Sequence, residues 1–191
     1  MEKKYHKLLS YAYVIRYLLF NTKEKSNLIK INELLNYSSS NLSLNKLENN
    51  NGKYPLFGAD GFVKNIDFYD KNEEYIAIVK DGNGVGRLIY NEKKSSVVGT
   101  MGYLTLKKSN NLKYIFYSMS LINLEKYVIG STIPHIYFKD YGKEKINMIP
   151  LEDQNKIVNI LELIDNKICM LQKELEITKK FKKSLLSKMF C

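Results

Sequence analysis

The chain has 191 residues, 45% of them hydrophobic and 12% aromatic, which is enough apolar surface for a packed core and excludes wholesale disorder. Its 30 basic residues against 20 acidic ones leave a net charge of +10, which points to a polyanionic partner, nucleic acid or an anionic membrane surface. The two cysteines, Cys169 and Cys191, are far apart and form no CxxC, which argues against a disulfide scaffold or a thiolate zinc site and for reduced cytoplasmic thiols.

At the N-terminus, Tyr5, Leu8, Leu9, Ala12, Ile15, Leu18 and Leu19 form a helical stripe over residues 2–20. A basic start followed by an apolar run imitates a signal peptide. Arg16 interrupts that run, however, and Asn21-Thr22-Lys23-Glu24-Lys25 follows where small cleavage-site residues belong. No apolar stretch approaches the about 20 residues needed to span a bilayer. The expectation is a soluble cytoplasmic protein with no membrane partner, whose first zone, residues 1–27, is a short helix and a polar connector.

Residues 28–150 change character. Strand-length runs at Tyr75–Val79, Arg87–Tyr90, Ser96–Val98 and Tyr103–Leu106 are separated by turn signals at Lys71-Asn72, Asp81–Gly84 and Ser109–Asn111. Tyr114, Ile115, Tyr117, Ser118 and Leu121 predict a helix of about two to three turns. This zone therefore reads as a mixed, mostly β domain, and its 16 basic and 12 acidic residues give it +4.

Residues 151–191 predict one long helix. Acidic Glu152 and Asp153 follow Pro150, a start signal, and neither Pro nor Gly occurs afterwards. Ile157, Leu161, Ile164, Ile168, Leu171 and Leu175 alternate steps of four and three, a heptad seam. Thr178 weakens it, and Phe181, Leu185 and Met189 resume a shifted stripe. Such an exposed seam needs a second helix, so self-association through these residues is expected. The fold class is α+β: a short N-terminal helix, a mostly β domain and a long coiled-coil helix.

Catalytic patterns are weak. Asp81-Gly82-Asn83-Gly84-Val85-Gly86-Arg87 lacks the Walker ending, has Arg87 where GxGxxG needs its last Gly, and precedes a strand rather than a helix. It reads as a hairpin turn, or as a flexible loop against a DNA backbone with Lys80 and Arg87 at its base. Asp81 with Glu92 and Lys94 faintly imitates a Mg²⁺-dependent nuclease. His6 and His135 lack zinc-pair spacing. No metal site and no self-sufficient catalytic constellation emerges, which favours a non-catalytic recognition module. Gly130-Ser131-Thr132-Ile133-Pro134-His135 brackets two hydroxyls and an imidazole, which suit phosphates or base edges but also an ordinary turn.

Several stretches, in order, resemble the specificity subunit of type I restriction-modification systems: Gly52–Gly61 (GKYPLFGADG), Tyr75–Gly82 with Gly86-Arg87, Gly130–Pro134 (GSTIP), and Ile149–Gln154 (IPLEDQ) followed by Ile157 and Ile164-Asp165. The set spans residues 28–190, although Pro150-Leu151-Glu152 lacks the family's usual Pro-Pro. The resemblance implies that residues 28–150 are a target-recognition domain reading one half of a split double-stranded DNA site. It also implies that residues 151–191 pair with a second long helix, as a ruler between the halves. Full members carry two of each, so this chain reads as a half subunit that works with a second copy or a second specificity chain.

The partners implied are adenine methyltransferase subunits, with a motor-nuclease subunit as a further one. S-adenosylmethionine and Mg/ATP belong to those partners and no cofactor to this chain. Lys53, Lys64, Lys80, Arg87, Lys93 and Lys94 are the candidate phosphate contacts, and Ser131, Thr132 and His135 the candidate base contacts. The alternatives are a dimeric DNA-binding regulator and a stand-alone Mg²⁺-dependent nuclease.

Overall fold

The computed structural model describes residues 2–20 and 27–189, the side chain of Met189 excepted; the connector predicted at 21–27 lies almost wholly outside them. The chain divides into two units. One holds α1 (Glu2–Phe20) together with the chain from Glu152 onward, and the other holds the described residues of Lys25–Leu151.

The second unit opens with β1 (Leu28–Lys30), a single helical turn α2 (Ile31–Leu34) and β2 (Leu35–Ser39). A 3-10 turn at Leu44–Leu47 leads to the hairpin of β3 (Tyr54–Gly58) and β4 (Gly61–Ile66), turning at Ala59-Asp60 with Gly61 at φ 110°. Then come β5 (Tyr75–Val79), β6 (Leu88–Asn91), β7 (Ser96–Val97), β8 (Met101–Leu106), α3 (Leu112–Met119), the turn α4 (Phe138–Tyr141) and β9 (Lys145–Asn147). The strand runs expected from the sequence and the two-turn helix lie where the pattern puts them. The sequence reading did not single out β1, β2, β3, β4 and β9 as strands.

Four strands in the order β2-β8-β5-β6 form one antiparallel sheet, and β4-β3-β7 form a second in which β3 and β7 run parallel. All five residues of β5 are buried because it pairs on both edges and is covered on both faces. Tyr75, Ala77 and Val79 face Leu56, Ile66 and Val97 of the smaller sheet, together with Met101 and Tyr103 of β8. The alternate residues Ile76 and Ile78, also fully buried, point to the opposite face. α3 packs on β5 and β6 and buries Tyr114, Ile115 and Met119. The short β1-β9 ladder, Ile29 opposite Ile146, brings both ends of the unit side by side.

Polar bonds lock this core. Tyr103 Oη accepts the Val97 N–H at 3.0 Å and donates to Asp70 Oδ2 at 2.7 Å. Tyr75 Oη lies 2.9 Å from Ser95 Oγ, which donates to Glu92 O at 2.7 Å. Burial raises the Tyr75 hydroxyl to about 12 and the Tyr103 hydroxyl further, so both stay neutral donors.

The first unit is a helical hairpin. α5 (Leu151–Met189) runs 39 residues, about 60 Å of rod. α1 lies antiparallel to it: Glu2 pairs with Lys179 at 2.8 Å, Tyr5 Oη donates to Gln172, and Arg16 forms an ion pair with Asp165. Buried Ala12 on one helix, and Leu161 and Leu171 on the other, mark where the stripes meet.

Candidate nucleic-acid interface

The end of β5 gathers the sequence-singled loops. Three glycines, Gly82, Gly84 and Gly86, take φ between 78° and 86°, which only glycine adopts readily, and the loop turns β5 back into β6 as a hairpin. Gly82 N–H donates to Pro134 O at 2.8 Å, and Ile136 N–H to Lys80 O at 3.0 Å, so the 81–87 and 130–135 loops form one surface. His135 and Ile129 exchange backbone bonds at 2.8 and 2.9 Å, and Gly130 closes this turn at φ 87°. Ser131 and Thr132 are exposed at its tip, and the His135 ring meets the Tyr137 ring edge-on at 5.1 Å.

The six cationic candidates do not share one surface. Lys80 pairs with Asp81 at 2.6 Å. Arg87 donates to Ala59 O at 2.8 Å and to Asp60 at 3.1 Å, which ties the β3–β4 hairpin tip to the glycine loop. Lys64 Nζ donates to the Leu47 and Glu48 carbonyls at 2.9 and 3.0 Å, satisfying the end of the 3-10 turn. These three charges are thus engaged by the protein itself.

Lys93 and Lys94 are exposed beyond the far end of β6, where Asn91 pairs with Tyr75, about 20 Å along the strand from Asp81. Lys53 precedes β3 at the matching end, since β3 and β7 run parallel, and its Nζ lies 5.2 Å from the Tyr54 ring centroid. Lys71, which the sequence reading did not single out as a contact, joins this end through its carbonyl bond from Lys94 N–H at 2.8 Å. Its Nζ lies over the Tyr103 ring at 4.9 Å.

The same strand register separates Asp81 from Glu92 and Lys94. The nuclease alternative needs those three together, and the hairpin holds them at opposite ends. No group of three metal-ligating side chains occurs among the described residues. Elsewhere in this unit Glu144 accepts from both Lys126 and Tyr127, and these two bonds hold its carboxyl below the usual range.

The dimerisation candidates on α5 lie on a seam that is partly covered within the chain. The sequence reading left their seam exposed, whereas Leu161 and Leu171 are buried and Ile157, Ile164, Ile168 and Leu175 are half-buried. Over most of the seam the helix that it needs is α1 of the same chain. Arg16 and Glu2 anchor the two ends of that cover at Asp165 and Lys179. Another face stays open: Leu163, Met170 and Ile177, seven residues apart, are 71%, 65% and 68% exposed. Periodicity of a single stripe did not reveal it, because Lys167 and Glu174 interrupt the partner positions.

The chain thus joins a β-rich unit, with glycine-turned loops at one strand end, to a long two-helix unit. The chain belongs to the type I restriction modification DNA specificity domain family, whose family model matches residues 23–179. It is 35% identical over 124 residues to the type I restriction enzyme MjaVIII specificity subunit of Methanocaldococcus jannaschii, covering 62% of this chain and 28% of that protein. Its fold is similar to the type I restriction-modification S subunit from M. genitalium, at TM-score 0.72 and 18% identity over 97% of this chain and 56% of that one. It is also similar to the HsdS subunit from Thermoanaerobacter tengcongensis, at TM-score 0.64 and 14% identity over 91% and 47%. The chain thus spans about a quarter of the archaeal relative and about half of each solved chain. No helix among the described residues is long and apolar enough to cross a membrane.

Proposed function

We propose that this chain is a non-catalytic, cytoplasmic DNA-specificity component of a type I restriction-modification assembly. Residues 28–150 read one half of a bipartite duplex site. The helical hairpin joins a second copy, or a second specificity chain, and docks adenine methyltransferase subunits. Those subunits bring S-adenosylmethionine and the base chemistry, and a motor-nuclease subunit brings Mg/ATP. The observation that carries this reading is the family match over residues 23–179, which takes in both the recognition unit and most of α5. The net charge of +10 suits a phosphate backbone. The open stripe Leu163, Met170 and Ile177 suits pairing with another helix.

The test is binding by the chain co-purified with its methyltransferase subunit, using a pool of random duplexes over a salt series. Enrichment of a bipartite motif, with affinity falling steeply as salt rises, is the expected result. Enrichment of no sequence at any salt concentration refutes the reading.

A further inference from the structure

Beside the glycine loops lies an open groove of about 530 Å³, walled by Ser39–Leu44 and floored by Lys80 and Val98–Thr100. The run Ser38-Ser39-Ser40-Asn41-Leu42-Ser43 has no apolar periodicity, and only Ser38 and Ser39 of it pair with β8. Its backbone is tied closely to the sheet end. Ser40 N–H donates to Met101 O at 3.1 Å and Gly99 N–H to Leu42 O at 2.7 Å. Ser40 Oγ donates to Val97 O at 2.5 Å and accepts the Leu42 N–H at 3.2 Å. Thr100 O accepts both the Lys80 N–H at 2.9 Å and the Asp81 N–H at 3.2 Å.

Between these anchors the side chains of Asn41 and Thr100 are exposed, with no hydrogen-bond partner among the described residues. The bonded backbone fixes where these two side chains start, so binding has only their rotamers to order. The chemistry of the groove separates two ligands. Its one cation, Lys80, is already paired with Asp81, so the groove offers a phosphate no free charge. It offers neutral donors and acceptors, which are what base edges match. An Asn amide presents a donor and an acceptor side by side, the pattern that N7 and N6 of adenine complete, and a Thr methyl packs on the thymine methyl.

We propose that Asn41 and Thr100 are specificity-determining residues that read an A·T pair in the major groove. This rests on the DNA-recognition function proposed above. The loop 130–135, bonded to the other side of Lys80-Asp81-Gly82, continues the same edge.

The test uses the full chain with its methyltransferase subunit and selection from a random duplex pool. Asn41→Ala and Thr100→Ser, which removes the methyl and keeps the hydroxyl, are each expected to relax preference at one or two adjacent base pairs. Binding to the selected site should fall about 5- to 150-fold for the lost bidentate Asn41 contact, and by less for the lost Thr100 methyl. Affinity for unrelated duplex and the salt slope should stay at parental values. Asn41→Asp keeps the shape but replaces the donor, and should disfavour adenine at that position, so a poorly folding alanine variant leaves the idea testable. Gly99→Ala provides an independent check. Its Cβ would lie 3.2 Å from Leu42 O, so it presses on the groove wall without removing a polar group, and it should also alter stringency. Variants that select the parental motif at parental stringency overturn the proposal and leave the DNA-recognition function standing. A uniform loss on all duplexes with a smaller salt slope makes the groove a backbone contact and overturns it too. A parent chain that selects no sequence removes the function on which the proposal rests.

Discussion

Leu161 and Leu163 are two residues apart on α5 and should respond in opposite ways to substitution. Leu161 is fully buried, and Leu163 is 71% exposed on the open stripe. Leu161→Ala removes core packing and leaves a cavity, a loss of about 2–5 kcal/mol in the stability of the chain. Leu163→Ala should change stability by no more than about 0.5 kcal/mol. Self-association should reverse the order. Full burial of a Leu side chain is worth about 1.5–3 kcal/mol, so covering the exposed part of Leu163 contributes about 1–2 kcal/mol per copy. Across a two-fold interface that becomes about 2–4 kcal/mol, or about 30- to 1000-fold in Kd. Leu163→Asp should weaken pairing at least that much, because it also buries a charge without a partner. The assay is urea unfolding followed by circular dichroism, beside sedimentation of the chain alone and with the proposed methyltransferase subunit. Refutation would be Leu163→Asp assembling at the parental concentration in both preparations, or Leu161→Ala costing less than Leu163→Ala.

Three further outcomes follow from named bonds. Tyr103→Phe orphans the buried Val97 N–H and should lower the stability of the β-rich unit by about 1–3 kcal/mol, whereas Tyr75→Phe, whose partner Ser95 keeps its bond to Glu92 O, should cost about 0.5–1.5 kcal/mol; chemical denaturation of both variants checks the order. Glu144 has its folded pKa depressed by Lys126 and Tyr127, so its contribution is present above the ordinary carboxylate range and lost as pH falls through the lowered value. Glu144→Gln should therefore flatten the stability profile below about pH 5, read by denaturation midpoints across pH. Lys93→Gln plus Lys94→Gln should weaken all duplexes alike and reduce the salt slope by about one to two units, whereas Lys64→Gln should mainly loosen the 3-10 turn at Leu44–Leu47, read as a lower melting temperature.

Much of the fold was legible because some segments admit one solution. Tyr75–Val79 is a β-favouring apolar run fenced by charged and glycine residues, and it became the doubly covered centre of the larger sheet. Residues 151–189 have an acidic start and no helix breaker. What stayed hidden depends on contacts distant in sequence. Both stripes of the helical hairpin were visible, but periodicity says that a stripe is covered and not by which chain. Arg16 and Asp165 decide that across 149 positions. Lys64 and Arg87 looked like free cations until the fold set backbone carbonyls beside them. Asn41 and Thr100 carry no pattern at all; their groove exists only because Ser40 and Leu42 bond to residues 97–101.

The role proposed for this chain is to select DNA sequence for a type I restriction-modification assembly. The most direct test maps methylated adenines genome-wide in cells expressing the methyltransferase subunit with the parent chain, without it, and with residues 28–150 exchanged for another recognition domain. A bipartite methylated motif that is present with the parent, absent without it and altered in one half by the exchange is the predicted result. The same motif in all three strains would contradict the account.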